Sequence, residues 1–229
     1  MAEKKDRWST KTYQHSASFV PKLATTVVSW LDLQKDDVLL DIGCGVLDAT
    51  QLISKPKLQN GTFNKVFSNA AMHWILRPEE TRSQFFRGVY ASLTPGGSFT
   101  FEMGGLGNVS EMRTAALGAV ARRVGMKVAI EADPWFFPDE AWITQALQET
   151  GFVVERAERE WRPTPADKGG VEGWIRLMAS QIMDAISDEK AREEAVQECT
   201  EVLREVCRDH NGGEMISYVR LRGVARKPE

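Results

Sequence analysis

Residues 37–45 read Asp-Val-Leu-Leu-Asp-Ile-Gly-Cys-Gly, and this stretch decides the fold. Val38, Leu39 and Leu40 form a short continuous apolar run, closed by Asp41 and by two glycines, Gly43 and Gly45. A strand buried on both faces shows no polar alternation, and a glycine-rich turn at its carboxyl end marks where a parallel sheet opens toward a ligand. Glycine lets the backbone come close to whatever binds there. The same residues also fit a plain tight turn, so the surrounding chain has to choose.

Upstream, residues 19–33 predict a helix: Pro21 suits a first turn, and Leu23, Val27, Trp30 and Leu31 recur at helical spacing. Downstream, residues 46–53 fit a short helix or a strand stub, and Pro56 and Asn60-Gly61 mark 55–64 as a loop. Residues 65–68 read as a second buried strand with a polar and aromatic exit, Asn69 to Trp74. A helix over 78–93 carries Phe85, Phe86, Val89, Tyr90 and Leu93 on one side. Thr94-Pro95-Gly96-Gly97 reads as a turn, and residues 98–103 as a third strand ending in Gly104 and Gly105.

The second half continues the alternation. It reads as a helix over 109–124, an aromatic loop over 132–138, and a helix over 139–149 capped by Asp139 and stopped by Gly151. A half-wet strand over 152–161 and a loop over 162–170 follow. Charged amphipathic helices over 171–186 and 188–210 and a last strand over 215–225 complete the chain. Strands alternating with helices predict an α/β fold with a mainly parallel sheet. The polar and apolar alternation of the last two strands places them at a sheet edge, one of them antiparallel.

Composition narrows the function classes. With 229 residues, 42% hydrophobic and 27% charged, the chain fits one globular domain and is neither disordered nor collagen-like. Lys plus Arg is 29 against 32 Asp plus Glu, a net charge of -3, without the basic surplus of a nucleic-acid binder. Three cysteines cannot pair off into a scaffold, and Cys44, Cys199 and Cys207 lack metal-ligand spacing, which points to a reducing compartment. Neither a signal segment nor an apolar run of membrane-spanning length is present. The expectation is a cytoplasmic protein without metal, nucleic-acid or membrane partners, its oligomeric state open.

The ordered set DIGCG, FSNAAMHWI, a helix, then LTPGG with a strand resembles the class I S-adenosylmethionine-dependent methyltransferases. Within them it is most similar to the small-molecule group that includes the trans-aconitate methyltransferases. The resemblance covers most of the chain, from WSTKTYQHSASFVPKL through GGLGN and PWFFP to YVRLRGVARKP. It implies a Rossmann-like sheet with helices on both faces and one domain over 1–229. A cap helix would lie in 1–33, a cofactor half in 34–105, and a substrate half with a helical cap in 106–229.

S-adenosyl-L-methionine is the implied cofactor and a small molecule the implied partner. On this resemblance Asp41, Gly43 and Gly45 would line the methionine part of the cofactor, with Asn69, Ala70 and Ala71 beneath the methionine and sulfonium. Tyr13, His15 and Phe19 would belong to a closing N-terminal segment, and His73 and Trp74 would face the substrate. His73 is the candidate base for a hydroxyl acceptor, because imidazole titrates near neutral pH. A carboxylate acceptor needs no base, and Arg113, Arg220 and Arg222, with Tyr218 behind them, are its candidate partners. Arg220 and Arg222 also fit a solvated strand face. Trp135, Phe136 and Phe137 fit either an apolar lid or buried packing.

The chain departs from the family pattern after Gly45. Leu47 stands where a third glycine belongs, and no Asp or Glu occurs between Ala49 and Pro78 to hold the ribose hydroxyls. Residues 46–52, VLDATQL, resemble the family's adenine-contacting segment, in which Asp48 would accept from the adenine amine with Ala49 beside it. In the family that segment follows two complete strand-helix units, whereas here it follows DIGCG directly. The pattern implies an internal deletion after Gly45 of two helices, a strand and the start of another, roughly 45 residues at ordinary element lengths. Two readings follow: methyl transfer to a small-molecule carboxylate or hydroxyl, or a non-catalytic truncated relative acting as a remnant or binding partner. The spacing of a nicotinamide fingerprint is absent.

Overall fold

The strand that organises the sheet, Ser98 to Met103, alternates polar and apolar residues and is bounded by glycine pairs on both sides. In the computed structural model, which describes residues 24–43 and 58–229, it is part of β3 (Leu93–Gly104). β1 (Leu39–Asp41) and β2 (Phe63–Asn69) lie beside it in parallel, Leu40 opposite Val66 and Val66 opposite Phe99. β4 (Val153–Pro165) and β5 (Met215–Arg226) complete a five-stranded sheet in the order β1-β2-β3-β5-β4. β5 runs antiparallel to β3, with Glu102 opposite Arg222.

The described residues fall into two compact units. Of the described residues, the sheet unit comprises 24–43, 58–108, 134–162 and 217–229. On one face of its sheet sit α3 (Arg82–Ser92) and α6 (Glu140–Thr150). Phe85, Phe86 and Val89 of α3 and Ile143 and Leu147 of α6 are buried with Phe99, Phe101 and Phe152 in one apolar cluster. Each such side chain taken from water stabilises the fold by roughly 1.5–3 kcal/mol. α1 (Thr25–Leu31) packs against β3, and its Trp30 ring lies 4.0 Å from the Arg156 guanidinium. α2 (Met72–Ile75) is a single turn following the exit of β2.

The second unit, Val109–Asp133 with Pro163–Ile216, is helical. It holds α4 (Ser110–Val124), α5 (Met126–Ala132), α7 (Gly170–Met178), α8 (Ser180–Met183) and α9 (Glu189–Val206). Ala195, Val196, Cys199 and Leu203 make the buried stripe of α9. Burial pushes the thiols of Cys199 and Cys207 up to about 11, which leaves both as inert packing residues. No helix among the described residues is long and apolar enough to cross a membrane.

The structure corrects several expectations. The last strand is not at the edge: β5 lies between β3 and β4, and β4 alone takes that side. Its residues Leu221 and Ala225 join the apolar cluster, which the alternation had hidden behind Arg220 and Arg222. Thr94 to Gly97 does not close a free turn but forms an irregularity inside β3, between the pairs Phe63–Leu93 and Lys65–Ser98. β4 continues to Pro165 where a loop was expected, and the helix over 171–186 breaks at Ala179. The short helices α2 and α5 carry no periodicity long enough to read.

The ends of α6 match the expectation. The Asp139 side chain accepts from the Trp142 amide at 2.8 Å, and Gly151 closes the helix at φ 103°. Asp139→Ala should therefore lower stability by about 1 kcal/mol. Urea unfolding should show a lower midpoint with an unchanged slope.

Candidate active site

The three parallel strands end side by side, and the residues at their carboxyl ends build the site. At the end of β1 the half-buried Asp41 carboxyl is raised above the usual range by loss of water. Gly43 follows at φ 94°, and a Cβ there would lie 2.2 Å from Ala71 Cβ, so only glycine fits. The two strand exits are tied: the Ile42 amide donates to Phe67 O at 2.8 Å, and Ser68 Oγ donates to Ile42 O at 3.0 Å.

At the end of β2, Asn69 places its Oδ1 in the interior with no hydrogen-bond partner among the described residues. Ala70 turns the chain in the left-handed region, φ 56°, with its amide donating to Glu102 O at 2.8 Å. A non-glycine residue held there is strained, and such strain collects at functional sites. One turn later His73 is only 7% exposed. Its Nδ1 accepts from the Gly104 amide at 3.3 Å. Burial, then the positive charge of Arg220, hold the imidazole well below its ordinary pKa.

At the end of β3, Gly104 sits so close to Phe137 and Asn108 that a Cβ would lie 2.5 Å from the Phe137 ring. Phe137 stacks with Trp135 at 5.8 Å, Trp135 meets Trp74 edge-on at 5.6 Å, and His73 lies 5.7 Å from Phe137. Phe136 points elsewhere, under the Arg82 guanidinium at 3.6 Å and edge-on to Trp142. The aromatic segment is thus packing, as its composition also allowed. Its Trp135 and Phe137 wall the side of the site next to His73.

Glu102 of β3 holds together a charged cluster that sequence reading found only in part. Glu102 is 1% exposed; Arg220 Nε donates to its Oε1 at 3.0 Å and Arg162 Nη2 at 3.2 Å. Arg222 Nε stands 3.5 Å from Oε2, within ion-pair range but too far for a good hydrogen bond, and Arg222 also pairs with Glu160. Arg220 and Arg222 are 5% and 3% exposed, so the solvated-face alternative is overturned. Glu102 and Arg162 could have been suspected from one signal: a carboxylate inside a buried strand must meet a cation.

The other expected site residues are dispersed. Tyr218 is buried on β5, within electrostatic reach of Arg220. Arg113 lies in the helical unit, where its Nε donates to the buried Asp133 at 2.7 Å. Tyr13, His15, Phe19, Cys44, Gly45, Asp48 and Ala49 lie outside the described residues.

No family profile matches the chain. A protein of Schizosaccharomyces pombe described as uncharacterized methyltransferase C70.08c is 33% identical, over 97% of this chain and 98% of its own length. That alignment spans 266 positions against the 229 residues of this chain, so gaps open on this chain's side. Among solved structures, a candidate methyltransferase from Bacillus halodurans matches with a TM-score of 0.53 at 12% identity, over 90% of this chain and 98% of its own. It shows the Rossmann-like α/β fold.

Removing the Glu102 carboxylate would leave buried guanidinium charge uncompensated. Glu102→Gln should cost about 3–5 kcal/mol, read as a fall in the denaturant midpoint. His73 adds a pH dependence. Its folded pKa is depressed, so its contribution is full above the unfolded value near 6.5 and is lost as pH falls through the folded pKa. The melting temperature of the wild type should therefore fall more steeply between about pH 6.5 and 5 than that of His73→Gln.

Proposed function

This chain belongs to the methyltransferase family of its fission-yeast relative, and on that premise we propose that it moves a methyl group from S-adenosylmethionine to a small-molecule carboxylate or hydroxyl. The observation that carries the reading is the pair of acceptors at the ends of β1 and β2. Asn69 Oδ1 is buried without a partner among the described residues, and Asp41 is a partly dehydrated carboxylate beside a glycine that admits no side chain. Acceptor oxygens with unmet demand fit the α-ammonium and sulfonium charges of the cofactor's methionine end.

S-adenosylmethionine supplies an already activated methyl, which leaves the protein to orient the acceptor and keep water out. Asp41 and Asn69 would hold the methionine end. Trp74, Trp135 and Phe137 would give the dry wall of the acceptor side, where Arg220 and His73 lie close enough to interact. The resemblance also assigned Gly45, Asp48 and Ala49 to the cofactor and Tyr13 and Phe19 to the closing segment, and these remain part of the proposal.

A second reading is favoured by three observations. Among the described residues β1 takes the outer position of the sheet, whereas a doubly wound sheet places its first strand centrally. The gapped alignment and the absence of an acid between Ala49 and Pro78 point the same way. All three support a chain that lacks the ribose-holding part of the sheet, as a truncated and non-catalytic relative would. A transcript read across the codons for Gly45 and Val46 separates a gene-model gap from a true deletion.

Calorimetric titration tests the main reading. S-adenosylhomocysteine should bind saturably, and methylthioadenosine, which lacks the amino-acid end, at least about tenfold more weakly. Asp41→Asn should narrow that difference. No heat up to millimolar ligand, from a protein that melts cooperatively, sinks the enzyme reading for this chain.

A further inference from the structure

We propose that Arg82 is a positioning residue for the methyl transfer: its guanidinium ties the turn that carries Trp74 to the segment that carries Trp135 and Phe137, and so holds the aromatic wall of the site in one arrangement. That this wall faces the acceptor rests on the methyltransferase reading; the tie itself does not.

Neither half of the wall can hold itself. Trp74 sits on α2, a single turn, and one turn of helix is too short to persist without outside contacts. Trp135 and Phe137 belong to residues 133–139, which form neither helix nor strand. Their rings nevertheless meet, Trp74 edge-on to Trp135 at 5.6 Å and Trp135 stacked with Phe137 at 5.8 Å. A backbone bond joins the halves, the Phe136 amide donating to the His73 carbonyl at 2.9 Å. One such bond is a pivot rather than a clamp.

Arg82 supplies a second tie. It is the first residue of α3, whose Phe85, Phe86 and Val89 are anchored in the apolar cluster. Its Nε donates at 2.8 Å to the carbonyl of Leu76, which closes the C-terminal end of α2, where basic side chains serve the last carbonyls of a helix. The same guanidinium lies over the Phe136 ring at 3.6 Å, with the Trp142 ring of α6 at 5.8 Å. Phe136 stands between Trp135 and Phe137 in the chain, so fixing its ring fixes the two residues that wall the site. A guanidinium can donate along its edge and stack on its face at once, whereas an ammonium is a point charge without a face. Loss of water is the main cause lowering the Arg82 pKa, and Glu79, Arg77 and Glu80 act on it only through space. A cation over a ring is held more firmly as water leaves. Arg82 thus acts through the wall and not on the reacting atoms.

The wall can be read directly as the circular-dichroism exciton couplet of the Trp74–Trp135 pair, assigned by its loss in Trp74→Phe. Arg82→Ala should lose most of the couplet and still melt cooperatively. Guanidinium chloride, well below the unfolding transition, should restore it, and ammonium chloride should not. A merely stabilising role predicts the opposite, because guanidinium weakens a fold that has lost stability. A couplet that survives in Arg82→Ala, or that guanidinium fails to restore, overturns the proposal, as does a wild type with no Trp74-dependent couplet. If Arg82→Ala does not fold, Arg82→Lys replaces it; this variant keeps the charge and should still lose the couplet, and a retained couplet overturns the proposal.

Two further readouts separate the tie from the cofactor end. S-adenosylhomocysteine should bind Arg82→Ala within about threefold of wild type, since the tie leaves Asp41 and Asn69 untouched. With tritiated S-adenosylmethionine, and trans-aconitate and catechol as acceptor probes, kcat/KM for whichever probe is methylated should fall about 10- to 100-fold, as misplacement of a bound acceptor predicts. The KM for S-adenosylmethionine should stay unchanged, and a loss confined to that KM overturns the proposal. A wild type that neither binds nor turns over sinks the methyltransferase reading, and the couplet alone then decides whether the tie exists.

Discussion

A single buried carboxylate sets the register on which the sheet unit depends. Glu102 lies on the face of β3 opposite to Phe99, Phe101 and Met103, and Arg220 and Arg222 reach it from β5 while Arg162 reaches it from β4. Side chains on a strand alternate between faces, so a slip of β5 by one residue would drive both arginines into the apolar cluster. A buried ion cluster of this kind contributes little net stability, because dehydration offsets most of the attraction. Its effect here is to exclude wrong pairings of three strands.

The correct register then positions the site. With Gly104 opposite Arg220, the amide of Gly104 is free to turn to His73 Nδ1, and Arg220 comes near enough to act on the ring. On the other side of β3, pairing with β2 sets Asn69 opposite Glu102 and lets the Ala70 amide close onto Glu102 O. Backbone and side chain of one residue thus fix both halves of the site.

The elements that were legible in the sequence share one property: their signal is local. The strand ending at Asp41 followed by Gly43, the Asp139 cap and the Gly151 stop each act within a turn or two and are found where their residues predict, although Val38 and Leu39 are exposed where a fully buried strand was expected. What escaped depends on partners far along the chain. Arg220 and Arg222 look like a wet strand face until Glu102, over a hundred residues earlier, is seen between them. Likewise His73 looks like a base by its ordinary titration, and only the Gly104 amide reveals which nitrogen holds the proton. Arg113 likewise has a distant partner that its own surroundings do not announce, the buried Asp133 of the helical unit.

Among the described residues, the two edges of the sheet are built on different principles. β4 carries Glu155, Arg156, Glu158, Arg159, Glu160 and Arg162 along one strand, a density of charge that guards an exposed edge against pairing with another chain. β1 is short and has no such guard. Val38 and Leu39 are 50% and 38% exposed, and Asp41 is the only charged residue of the strand. A strand selected for an edge would carry the charges of β4, whereas one selected for the interior of a sheet carries the apolar run of β1. The composition of β1 therefore matches a central position, which supports the reading that further strands belong beside it.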